Sequence, residues 1–183
     1  MQKKGSIFLL IVLLNCFVPV SAQTDMFMKV MDPGQINGES TFTQYLNWIN
    51  IYGYNAGASN TVSFGGAGGA GRANTNEFTF SMCVDKSLNY LNRQMSIGSP
   101  LQTVQIDFLR AGPTTSTVYY RLEFVDAFVS KIEEAGTTND GRPLCNISFI
   151  PAKFRYTYWP TIGGGNQGTP VVFGWDVAGN IAW

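Results

Sequence analysis

The chain has no histidine. Without imidazole there is no neutral-pH general base of the commonest kind, no Ser-His or Cys-His pair, and no histidine metal ligand. Cysteine is nearly absent too: Cys16, Cys83 and Cys145 are the full set of three. That is too few for a four-thiolate zinc site. Charge is sparse, with Asp, Glu, Lys and Arg making up 13% of residues, 12 basic against 12 acidic. No Lys/Arg cluster remains beyond the N-terminus, so a nucleic-acid partner or an anionic membrane surface is excluded as an expectation. Long apolar runs are also missing, apart from Ile7–Val20, which is too short to span a bilayer comfortably.

That one run has a purpose. Lys3 and Lys4 precede it, and Val20-Ser21-Ala22 offers small residues just before Gln23. A basic start, a short apolar stretch and small residues at the cut describe a secretory signal peptide, residues 1–22, cleaved between Ala22 and Gln23. Asn15 stands where a lipoprotein signal before Cys16 needs a small residue. Removing 1–22 takes away Lys3 and Lys4 and no acid, leaving ten basic against twelve acidic residues and a net charge of −2. The mature domain, residues 23–183, is expected to be secreted or periplasmic and to need no membrane. The alternative is a start at Met26, which gives a protein that is cytoplasmic before secretion; the coherence of the leader favours export.

What the chain does have is aromatics, 14% of it, and alternation. Residues 26–31, 45–54, 77–84, 103–111, 118–134, 144–159 and 171–177 alternate apolar and polar side chains, the pattern of half-buried strands. Strand 118–134 is too long to be flat and should bend near Asp126. Pro151 marks a bulge or an edge position in 144–159. Cys83 alternates with polar residues and Cys145 with apolar ones, so two unpaired thiols are expected rather than a bridge. The exception to period two is 85–98, where Leu88, Leu91 and Met95 recur at three and four residues, Asp85 can cap the start and Gly98 the end. Many short strands with one helix predict a mainly β fold: a compact antiparallel β-barrel of two sheets with one short flanking α-helix.

The glycine run "GGAGGAG", Gly65–Gly71, matches G-x-G-x-x-G from Gly66 to Gly71. A dinucleotide site needs a helix leaving the glycines, because the pyrophosphate sits on that helix's N-terminus. Here a polar stretch and the strand at 77–84 follow instead. Read as a P-loop, Arg72 and Ala73 replace the Lys and Ser/Thr that reach phosphate and magnesium. The segment 57–73 is therefore expected to be a mobile loop that binds no nucleotide, and no cofactor is expected. Asp126, Glu133 and Glu134 share one hairpin, a carboxylate set of the kind glycosidases use, but Glu133-Glu134 reads as a solvated strand end.

Several stretches also match one family in order: "DMFMKV…INGES" (25–40), "FTFSMCVDKSLNYLNRQMSIG" (78–98), "TVQIDFLRAG" (103–112), "YYRLEFVDAFVSKIEE" (119–134), "GRPLCNISFIPAKFRYTYWP" (141–160) and "GWDVAGN" (174–180). From about Asp25 to Asn180 the chain resembles the haemolysin-coregulated protein (Hcp) family, the tube protein of the type VI secretion system. The most specific positions are Gly38-Glu39-Ser40, Val84-Asp85-Lys86, Arg110-Ala111-Gly112, Arg142-Pro143 and Gly174-Trp175-Asp176-Val177. The resemblance implies a non-catalytic structural protein whose partner is itself, as a hexameric ring able to stack into a tube. It also implies effector proteins or other secretion components as further partners. The family's subunits normally carry no signal peptide, so the leader is a departure that bears on the contractile-tube role. The competing reading is an exported monomeric β-barrel binding module, holding carbohydrate or peptide on the aromatic strand 45–54 and the Trp159/Trp175 region.

Overall fold

The computed structural model describes residues 25–62, 70–75, 77–111, 116–137 and 141–183. The leader with its Ala22/Gln23 cleavage position, and residues 63–69 of the glycine run, lie outside the described residues. In chain order the elements are β1 (Asp25–Asp32), β2 (Gly34–Ile36), β3 (Ile49–Asn55), β4 (Ala58–Val62), β5 (Ala70–Thr75), β6 (Phe78–Cys83), α1 (Leu88–Ile97), β7 (Leu101–Arg110), β8 (Thr117–Thr137), β9 (Pro143–Tyr158), β10 (Val171–Asp176) and β11 (Ile181–Ala182).

The barrel wall runs β9-β6-β3-β1-β7-β8, and β8 pairs back onto β9 to close it. β10 and β11 extend this sheet past β9, β2 folds onto β1, and β4–β5 makes the second, two-stranded sheet. The protein is thus mainly β, a closed antiparallel barrel with one short flanking helix. Alternation fills the interior. Met28, Ile106 and Leu122 oppose one another across β1, β7 and β8, and Val30, Val104 and Phe124 form the next row. Phe78, Phe80, Phe149 and Phe124 pack against one another at centroid distances of 4.6 to 6.4 Å, tilted as aromatic quadrupoles prefer.

The long strands bend where the sequence marks them. Asp126 takes φ 49°, a left-handed conformation that a short polar side chain tolerates. Pro151 lies in register with Ala127. At this level β9 exchanges one second neighbour for another: β6 pairs as far as Phe149, and β10 begins at Lys153. Pro151 stands at this break between the two neighbours, the kind of irregular position at which a strand tolerates proline.

Helix α1 closes the end of the barrel where β1 finishes. Asp85 Oδ1 accepts from the Ser87 amide (2.9 Å) and hydroxyl (2.5 Å), ordering the approach. Gly98, at φ 66°, ends the helix by donating its amide to the last carbonyls. Leu88 and Leu91 enter the core and Met95 packs against it. Tyr90 donates its hydroxyl to Asp32 Oδ2 (2.9 Å), and the amide of buried Gln94 donates to the same oxygen.

Two expectations need correction. The strand expected over 45–54 begins only at Ile49; Thr43–Tyr45 is a single 3-10 turn and Asn47 takes φ 62°. Tyr45 leaves the alternation because its ring stacks on Phe27 (4.6 Å, 8°) outside the barrel. The segment 57–73, expected as a mobile loop, holds β4 and β5 in antiparallel register from Ala58↔Thr75 to Val62↔Ala70. Backbone ladder bonds need no apolar side chains, so hydrophobic patterning could not reveal this hairpin. The cysteines are free, as expected. Cys145 pairs in register with inward-facing Met82, and Cys83 with Leu144, so the two thiols point to opposite faces.

Leu91 is fully buried. Leu91→Ala should cost about 2–4 kcal/mol in urea unfolding, the usual range for a large-to-small core change; under half of that lower bound would place this helix face outside the core. Burial, with Asp85 and Glu134 nearby, pushes the Cys145 thiol up from 9.0 to about 11. The unfolded thiol loses its proton first, so stability should fall as pH rises from 9 towards 11. Cys145→Ala should flatten that slope in pH-dependent unfolding.

Candidate functional site

All but one of the sequence-matched motifs gather at two places; the exception is Arg110-Ala111-Gly112, where Arg110 lies over the Tyr119 ring (5.6 Å) and Gly112 is outside the described residues. At the first, Gly38 and Ser40 run beside Asn47 and Trp48: the Gly38 amide donates to Asn47 O (2.8 Å), the Ser40 amide to Trp48 O (2.9 Å), and the Asn47 amide to Ser40 O (2.9 Å). A Cβ at Gly38 would lie 2.5 Å from the Trp48 carbonyl oxygen, so only glycine lets these backbones meet. Glu39 Oε1 accepts the Lys86 amide at 3.4 Å. The Val84 amide donates to Pro143 O (2.9 Å), which brings in Arg142-Pro143 as well. Glu39, Tyr52 and Arg142 then line a cleft of about 470 Å³ beside the start of β1. Three motifs far apart in sequence thus form one corner of the molecule. Lys86 joins it through its backbone, and Asp85 serves the helix approach.

The second place is β10 and the C-terminal tail. Gly174 lies flat under Trp183: a Cβ there would sit 2.1 Å from the Trp183 carbonyl oxygen, and the Trp183 amide donates to Gly174 O (3.1 Å). Trp175 packs on the core cluster. Asp176 holds the following turn by accepting the Gly179 amide (2.8 Å) and pairs with Lys153 (3.2 Å). Those two contacts, the amide first, draw its carboxyl below the ordinary range.

Sequence reasoning missed a polar cluster on the outer wall. The segment 37–48 folds over β1 and β7, covering Phe27 and Leu109 with Tyr45. Beneath it Arg121 grips buried Asp107 with two bonds, Nε to Oδ1 (2.6 Å) and Nη2 to Oδ2 (2.8 Å). Tyr45 and Gln105 donate to the same carboxylate at 3.2 and 3.1 Å. Hydrogen bonding to Asp107 holds the Arg121 guanidinium even more firmly protonated, and burial, then Asp107, raises the Tyr45 phenol. The signal was present as a lone acid inside "VQIDFLR". Such fully bonded buried pairs organise structure and offer no open position for chemistry. Among the described residues no group of three acidic or thiol side chains could hold a metal ion. Glu133 pairs with Lys131 (2.6 Å) on an exposed strand end.

Trp159 and Trp175, which the competing binding-module reading paired, do not form one surface. Trp175 faces the core, whereas Trp159 lies under the Arg121 guanidinium (5.7 Å) on the outer wall. What does stand open is the edge of β10. β11 pairs only with Trp175 and Asp176, so the outward backbone groups of Val171–Phe173 have no partner among the described residues. Their side chains are more than half exposed. An apolar edge without Lys, Pro or a bulge inside it is a pairing site.

Asp107→Asn should destabilise the fold by about 3–5 kcal/mol, because it leaves Arg121 without its buried partner. Tyr45→Phe should cost only about 0.5–1.5 kcal/mol. Denaturant unfolding of both variants checks the order; equal costs would mean that the ion pair is no more than a surface contact.

Comparison with known proteins gives a consistent result. The model of the family described as type VI secretion system effector, Hcp, matches residues 27–158, from β1 to the end of β9. Protein hcp1 of Pseudomonas aeruginosa is 28% identical over 160 residues, covering 86% of this chain and 97% of that protein. A solved type six secretion system protein superposes with a TM-score of 0.78 at 21% identity, over 88% of this chain and all of that one. Hcp1 from Salmonella typhimurium gives 0.70 at 16% identity, over 87% and 99% of the two chains. With the family model spanning the whole barrel wall, this chain belongs to the Hcp family of type VI secretion.

Proposed function

We propose that this protein is a non-catalytic structural subunit of the type VI secretion tube. Six copies close into a ring, rings stack, and effector proteins or other secretion components associate with them. The observation that carries this reading is the family match across the whole barrel. The open edge at Val171–Phe173 supports it physically: a closed ring of identical subunits needs a head-to-tail contact between unlike surfaces, and an unpaired apolar strand is one half of such a contact. Low charge, 13% of the chain, gives little self-repulsion to oppose assembly. On the leader reading of residues 1–22, supported by Lys3, Lys4 and the small residues before Gln23, the mature chain starts at Gln23 and is exported. N-terminal sequencing of the secreted protein tests that point, since Met26 would mean a subunit that is cytoplasmic before secretion.

The purified protein should sediment as a closed oligomer, most simply a hexamer, and appear as rings by negative stain. Val172→Lys puts a charge on the open β10 edge and should shift it to monomer, with circular dichroism unchanged. A wild-type chain that remains monomeric at tens of micromolar overturns the ring and favours the exported binding module.

A further inference from the structure

The outer wall carries a feature that neither ring assembly nor the leader explains. Antiparallel register sets Lys29, Gln105, Glu123 and Arg155 side by side across β1, β7, β8 and β9. Arg155 is the direct cross-strand neighbour of Glu123, where opposite charges ordinarily pair. Instead its guanidinium lies 4.1 Å from the centre of the Trp183 ring. The Lys29 ammonium lies over Trp48 at 5.8 Å. The Glu123 carboxylate is left with no hydrogen bond and no ion pair among the described residues. Between these groups is a cavity of about 180 Å³, lined by Lys29, Met31, Thr103, Gln105, Glu123 and Trp183.

We propose that this cavity binds a single pyranose ring of a glycan. The Trp183 indole, which carries the Arg155 guanidinium at 4.1 Å and the Lys153 ammonium at 5.9 Å, lines the cavity and offers its uncovered apolar surface to the C–H face of a sugar. Glu123 offers only acceptors and Lys29 only donors, the Thr103 hydroxyl does both, and Gln105, whose amide nitrogen donates to Asp107 (3.1 Å), offers its carbonyl oxygen. Donors and acceptors thus both line a space of ring size, as a polyhydroxyl ligand requires. Lys29 on the lining and Arg155 and Arg121 beside Glu123 already counter its charge, so the site needs no charged ligand to neutralise the carboxylate, and a neutral polyhydroxyl ligand can bond to each group. All the polar groups stand on three strands of the barrel wall, which fixes their backbone positions. Gly174 completes the site by letting the Trp183 tail lie against the sheet.

Saturation-transfer NMR and tryptophan fluorescence, with methyl β-D-glucopyranoside, methyl β-D-galactopyranoside and N-acetyl-D-glucosamine as probes, test this on the purified protein. At least one should bind saturably with a Kd on the order of 1 mM, the range open to so small a ligand. Glu123→Gln and Trp183→Ala should each weaken binding by about tenfold or more, Glu123→Gln with unchanged thermal unfolding. Val172→Lys should leave sugar binding intact even as it abolishes rings, so failure of the ring and failure of the sugar site are separable. No saturable response to any of the three sugars, binding unchanged in both site variants, or preferential binding of free leucine as a zwitterion would overturn the proposal.

Discussion

The barrel depends on one hairpin that changes partners halfway along. β8 and β9 stay paired from Tyr120↔Tyr158 to Thr137↔Pro143, far beyond what a single flat ladder could use. At Ala127 β8 makes its last pair with β7, and across from it β9 passes from β6 to β10. One half of the hairpin therefore holds β7 on one side and β10 on the other, its far half holds β6, and the barrel closes through both. Both strands bend at this level, where left-handed Asp126 stands next to the Ala127↔Pro151 pair. Straightening that level would draw β6, on one half of the hairpin, away from β7, on the other.

A second constraint is close backbone approach. Gly38 and Gly174 are distant in sequence, yet each removes a Cβ that would strike a carbonyl oxygen of a crossing segment. At Gly38 the crossing segment is the one that carries Tyr45 to the outer wall; at Gly174 it is the tail that carries Trp183. Both crossings put an aromatic over a charged row of the barrel exterior, Asp107–Arg121 in one case and Glu123–Arg155 in the other. Glycine here decides where large side chains can lie, which accounts for its place in the most specific sequence motifs.

The elements with side-chain periodicity were legible from sequence: β6, β7, the interior rows, the helix with Leu88 and Leu91, the bend at Asp126 and the separation of Cys83 from Cys145. What periodicity does not encode was not legible. Tyr45 looked like a strand residue because its aromatic neighbours alternate, but its energy comes from stacking on Phe27 and bonding to Asp107, contacts made across 18 and 62 positions of chain. The β4–β5 ladder is held by backbone bonds between small and polar residues, so no hydrophobic signal announced it. The convergence of Gly38–Ser40, Val84–Lys86 and Arg142-Pro143 at one corner is a property of the closed barrel and appears in no local pattern.

The exterior then divides by how its polar groups are satisfied. Around Asp107 both carboxylate oxygens are engaged by Arg121, Tyr45 and Gln105, the 37–48 segment folds over the site with Tyr45, and the charge pair is locked into the fold. Along β10 the backbone itself is unsatisfied and the side chains are apolar, a combination that water serves poorly and another strand serves well. Beside Trp183 the backbone is paired but a carboxylate is not, and the neighbour that should neutralise it is turned onto an indole. An unpaired backbone edge calls for a strand; an unpaired side chain in a ring-sized hollow calls for a small polar molecule. One barrel wall can therefore carry assembly on its edge and recognition on its face, since the two draw on different unsatisfied groups.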